Sequence, residues 1–283
     1  MMRDRQKKDK KNMGAYAVIA ACLLGLGAFV VSAVMGSGTK DLKSNGCIGD
    51  SLPGTVVVSD TSPPLWGETQ KRSMLEFFSL LYHERLRGNE KFTVYATTGD
   101  KWSNLPMVKV TLCKPVQDSQ QALQLGAKDL AEPYLRNQDK LVFKKLFWPG
   151  IEAMLNIAPN TNAVMKDSPI LELTGSMSRI ADLTGKPFSR LVLISDLVVN
   201  SDGLTFCYKP DQRVPSYEKF TASPHWRRLK PSPFTGVEVE VLLLERLSQK
   251  LNCSTDELED FWKAYFLKNG AKSAKFIRLR EGI

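Results

Sequence analysis

Two aspartates close the two most apolar β-like runs of this chain. Residues 55–59 (TVVVS) lead into Asp60, Thr61 and Ser62, and residues 190–195 (RLVLIS) lead into Asp196. Unbroken runs of this kind suit strands covered on both faces. In open α/β sheets, ligands sit beyond the carboxyl ends of strands, where the strand order reverses. Two carboxylates meeting there, with hydroxyls beside them, would offer the oxygen donors that a hard cation such as Mg2+ takes. With a metal, Asp60 and Asp196 could also activate water, which makes a metal-assisted hydrolase the alternative chemistry. No general base or electrophile clamp accompanies them. The chain has no Ser-His-Asp order, no G-x-S-x-G, no H-E-x-x-H and no phosphate-cradling glycine loop. A catalyst is therefore not the expectation.

The elements that must position these aspartates follow from periodicity. Residues 91–97 and 106–112 read as strands, as do 237–244 and 275–279. Between about residues 68 and 86, Met74, Leu75, Phe78, Leu81 and Tyr82 recur at helical spacing. Residues 120–157 read as helix-rich, and 169–183 as another helix. Ser254 and Glu257 form a capping-box pattern opening a helix whose inward face is Leu258, Phe261, Trp262, Tyr265 and Phe266. Strands alternating with helices predict an α/β fold: a doubly wound, mostly parallel sheet with helices on both faces.

The 283 residues carry a net charge of +9, and the basic excess is concentrated at the start. Arg3, Arg5, Lys7, Lys8, Lys10 and Lys11 face only Asp4 and Asp9 within residues 1–12. Residues 13–36 contain no charged side chain, and their core is about the length of a helix that crosses the hydrocarbon layer, roughly 20 residues. The expectation is a basic cytoplasmic tail (1–12), one transmembrane helix (13–36), a polar linker (37–46) and an α/β domain (47–283). By the positive-inside rule the tail stays in the cytoplasm and the domain crosses. In a bacterium this makes a single-pass inner-membrane protein with a periplasmic domain. A cleaved signal peptide fits less well, because the apolar run is long and its exit is a poor cleavage site. Ile19 to Cys22 fits a lipobox, but the apolar run continues well past Cys22. The remaining charge is mild and mixed, so no nucleic-acid partner is expected.

Five cysteines occur, four of them (Cys47, Cys113, Cys207 and Cys253) in the expected exported part. An even number in an oxidising compartment permits disulfides, and four buried free thiols are the alternative. Their long spacings do not suit a zinc site. His225 lies in the polar-aromatic cluster of residues 223–228 (SPHWRR), where Arg227 and Arg228 could contact an anionic group or partner. Alternatively Trp226 packs on the core and both arginines are solvated.

The strand ending in Asp60, Thr61 and Ser62, the Ser168 that opens a helix, and the strand ending in Ser195 and Asp196 resemble a von Willebrand factor A-type domain. The wider layout is similar to bacterial membrane-anchored proteins carrying such a domain. Cys47, residues 60–65 (DTSPPL), residues 168–172 (SPILE), residues 223–228 and residues 261–266 (FWKAYF) carry that likeness. The resemblance implies a Rossmann-like sheet and a metal-ion-dependent adhesion site. Asp60 and Ser62 would form its first loop, Ser168 its second and Asp196 its third, around Mg2+. Pro64 stands where the family's first loop has a further hydroxyl. Ser62 and Ser168, each followed by proline, could also simply start helices.

The A-type topology implies an antiparallel third strand. Cys113 would then reach the edge where Cys47 lies, and Cys207 and Cys253 would share the opposite edge, giving 47–113 and 207–253 as the pairs. The function implied is a membrane-tethered binding or assembly module docking a protein partner across the strand C-terminal face. A structural part of a cell-envelope or conjugation-type machine is the second reading.

Overall fold

A computed structural model describes residues 39–61, 66–96, 107–156, 168, 170–175, 188–201, 203–246 and 251–281. The expected basic tail and the apolar span at 13–36 lie outside the described residues, as does Ser62. Among the described residues, no helix is long and apolar enough to cross a membrane.

Six strands form one sheet. In chain order they are β1 (Leu52–Ser59), β2 (Glu90–Ala96), β3 (Met107–Cys113), β4 (Phe188–Ser195), β7 (Glu238–Glu245) and β8 (Ser273–Arg280). The short strands β5 (Asn200–Ser201) and β6 (Leu204–Thr205) pair with each other apart from it. The sheet order is β3-β2-β1-β4-β7-β8. All neighbours run parallel except β2 and β3. The chain builds outward from β1 through β2 to β3, then restarts on the other side of β1 with β4. The strand order therefore reverses between β1 and β4, the crevice where doubly wound sheets bind ligands.

The apolar runs form the centre of this sheet because alternate side chains can be buried on both sides. Val56 and Val58 join one core, while Val57 joins the other. On the first side, Leu191, Leu193, Val239 and Val241 pack under helix α7 (Thr255–Lys268) through Phe261, Trp262, Tyr265 and Phe266. The capping box at the start of α7 is formed: Ser254 Oγ accepts from the Glu257 amide at 3.1 Å, and Glu257 Oε2 accepts from the Ser254 amide at 2.7 Å.

The second side is covered by α1 (Glu68–Leu80), α3 (Glu132–Val142) and α4 (Trp148–Leu155). The short helix α2 (Ser119–Gln124) belongs to a satellite core of Ile48, Val116, Ala122 and Leu135. The helix expected to run to about residue 86 changes its winding at Leu81. Leu81–Arg85 form a π turn, and Phe143–Phe147 form another between α3 and α4. The adjacent Leu81 and Tyr82 are both fully buried at the start of this wider turn. Tyr82 then meets Phe147 at 4.5 Å and Phe143 at 4.9 Å between ring centres. His83, next along, is exposed.

Two disulfides clamp opposite ends of the sheet. Cys47 bonds Cys113 (S–S 2.01 Å) where the chain approaches β1 and leaves β3. Cys207 bonds Cys253, with 5.1 Å between Cα atoms, beyond the carboxyl ends of β4 and β7. Near the first, the buried Asn89 adopts φ +62° and ties the approach to β1 through Ile48 and Asp50. A buried polar cluster lies at that same end. Lys114 Nζ is 2.9 Å from Asp139 Oδ1, which also accepts from the Tyr82 hydroxyl at 2.8 Å. Gln117 donates to Asp139 Oδ2 at 2.7 Å. Burial pulls the Lys114 amine below the usual lysine range, opposed by Asp139, and burial together with Asp139 holds the Tyr82 proton firmly.

Candidate functional site

The parallel pairing of β1 with β4 sets Ser59 opposite Ile194, and the backbone N–H of Asp60 continues the ladder to the Ile194 carbonyl at 2.9 Å. Asp60 and Asp196 therefore emerge side by side at the strand ends. Both are buried, at 1% and 8% exposure. Burial above all, and the nearby Asp60 charge in addition, raise the pKa of Asp196.

Serine hydroxyls knit this joint. Ser168 Oγ donates to Asp60 Oδ2 at 2.9 Å, and Ser195 Oγ donates to the same oxygen at 3.0 Å. Ser195 Oγ also accepts from the Leu197 amide at 2.9 Å. Ser168 reaches the joint because its backbone bridges Asn200, the first residue of β5. A helical stretch at 170–175 follows it, and Ile170 and Leu171 are fully buried. Asp60, Ser168 and Asp196 are thus brought together.

Asp196 is held by different partners. Its Oδ1 accepts from the Val198 amide at 3.0 Å, closing a tight turn. Within that turn Leu197 takes φ +61°, a left-handed conformation that costs a leucine roughly 1–2 kcal/mol. The cost is offset by full burial of its side chain and by a hydrogen bond from Trp262 Nε1 to its carbonyl at 3.0 Å. On the other side, Asp196 Oδ2 lies 3.2 Å from Nε of Arg246, with both side chains under 10% exposed. Burial pushes the Asp196 carboxyl up to about 6, against the pull of Arg246.

Arg246 had no place in the sequence reading, yet a signal existed. It stands just past the third buried run, at the end of β7, as the two aspartates stand just past theirs. The open side of the joint is a cleft of about 510 Å³ lined by Asp196, Arg246, Asn252, Cys253, Thr255 and Leu258, among others. Arg227 and Arg228 lie away from it on α6 (Trp226–Leu229), after α5 (Tyr217–Thr221). Both arginines are exposed, while Trp226 packs edge-on against Tyr217 and Phe220.

The donor set bears on the cation expected here. A divalent ion needs an open shell of about six oxygens. The Ser195 oxygen already accepts an amide, both oxygens of Asp196 are engaged, and a permanent positive charge stands beside them. Among the described residues, no group of three or more His, Cys, Asp or Glu side chains could hold a metal. As arranged, Asp196 has no free oxygen to offer Mg2+, and Ser62 lies outside the described residues.

No family model and no curated protein matches this chain. Among solved structures, the conserved hypothetical protein BatB from Bacteroides thetaiotaomicron is similar with a TM-score of 0.37 and 11% identity. That match covers 81% of this chain and 91% of the other. A likeness at that level carries no argument about function.

Proposed function

We propose that this chain is a membrane-tethered binding module of von Willebrand factor A-like design. It docks a protein partner across the carboxyl-end face of its sheet, on the periplasmic side of a bacterial inner membrane. The observation that carries the reading is the meeting of Asp60 and Asp196 at the reversal of strand order, beside an open cleft. Support for the tether comes from the uncharged run at 13–36 behind a basic tail. Two disulfides support an oxidising compartment for the domain. The hydrolase reading asks Asp60 and Asp196 to hold an ion, and the contacts of Asp196 oppose that.

The test is site-specific photo-crosslinking in intact cells. A crosslinking residue at Asn252 or Thr255, both lining the cleft, should give a discrete adduct. The same residue at the exposed Leu123 or Tyr134, on other elements, should not. Equal labelling at all four positions, or none at the cleft, would reject the docking face.

A further inference from the structure

A strand joint that buries two neighbouring carboxylates must contain compensating charge or strong donors, because an ionised group without them is costly to remove from water. Asp60 meets this need with two serine hydroxyls. Asp196 receives one amide and then the guanidinium of Arg246. Arginine keeps its proton at every physiological pH, so this charge is permanent. The sheet sets the distance. β7 is the neighbour of β4, with Ser195 opposite Leu243, so Asp196 and Arg246 leave adjacent strand ends within reach of each other.

We infer that Arg246 is the resident cation of this site. Its guanidinium supplies the positive charge that a divalent ion supplies in an adhesion-type site, and it supplies it without exchange. The face is therefore metal-independent, insensitive to chelators, and does not need a partner carboxylate to complete a metal's shell. Arg246 also staples the end of β7 to the end of β4, so charge compensation and the shape of the cleft depend on one side chain. This inference is independent of what docks at the face.

Thermal melts of the full-length chain in detergent micelles test it, with Mn2+ as the probe. The wild-type melting temperature should be the same in millimolar Mn2+ and in EDTA. Arg246→Met, which keeps the apolar stem and removes the charge, should lower it, and adding Asp196→Asn should recover most of the loss. The assignment is overturned by a Mn2+-induced rise in the wild type that Asp60→Ala abolishes. It is equally overturned if Arg246→Met melts with the wild type, or if the double variant is no better than the single one. If Arg246→Met does not fold at all, the double variant and the wild-type titration still decide.

Discussion

The hydroxyl of Ser195 lies 3.0 Å from Oδ2 of Asp60 and joins the ends of β4 and β1 across the point where the sheet reverses its order. The same oxygen accepts the Leu197 amide, so one small side chain holds both the strand joint and the turn that follows. Ser195→Ala leaves a buried amide and a carboxylate oxygen short of partners. The expected loss is roughly 1–3 kcal/mol, read as a lower denaturation midpoint with an unchanged slope.

Acidity should act on the fold through Asp196. Its carboxyl releases its proton at about 6 in the fold, against 3.8 as the ordinary value. Between those values the folded chain binds more protons than the unfolded chain, so this group's contribution to stability falls as pH rises from about 4 to about 6. Glu238, held below its usual range mainly by its hydrogen bond with Lys272, works in the opposite direction. The Asp196 part is isolated by comparing wild type with Asp196→Asn. The stability of the wild type relative to the variant should fall from pH 4 to pH 6.5, whichever of the two is the more stable at pH 4. A gap independent of pH would refute the assignment.

At the other end of the sheet, Lys114 and Asp139 are a buried pair whose members depend on each other. Removing one partner strands the other. Lys114→Met alone should cost about 3–5 kcal/mol, and Lys114→Met with Asp139→Leu considerably less. Urea titration of both variants checks this, and equal losses would show that the cluster works through packing instead. In the double variant the Tyr82 hydroxyl would keep only the longer bond to the backbone carbonyl of residue 139, now 3.2 Å, so recovery should be incomplete.

The disulfides predict a mass count. Alkylation of the unfolded, unreduced chain should add one label, at Cys22, and reduction should raise that to five. Each bridge should contribute roughly 2–4 kcal/mol, with the longer Cys47–Cys113 loop at the upper end. Further labels before reduction would mean that a bridge is open.

Much of the sheet could be read from the chain because its central strands are apolar runs closed by charged residues. The capping box of Ser254 and Glu257 was equally legible, being a local pattern that needs no distant partner. The π turns at Leu81–Arg85 and Phe143–Phe147 were not, since their side chains still recur near helical spacing. The small β5–β6 hairpin gave no periodic signal over strands of two residues each. Asn89 and Leu197 were illegible for another reason. Their left-handed conformations are imposed by buried contacts far along the chain, Asn89 with Ile48 and Leu197 with Trp262.

The Cys47–Cys113 bridge also settles how the domain bears tension. A pull on residues 39–46 reaches Cys47 before it reaches β1, and the bond diverts part of that load to the end of β3 at the sheet margin. Two strands with β2 between them then share the force, along their length rather than across it. Oxidised, a pull on residues 39–46 would load two strands of the sheet; reduced, it would load β1 alone.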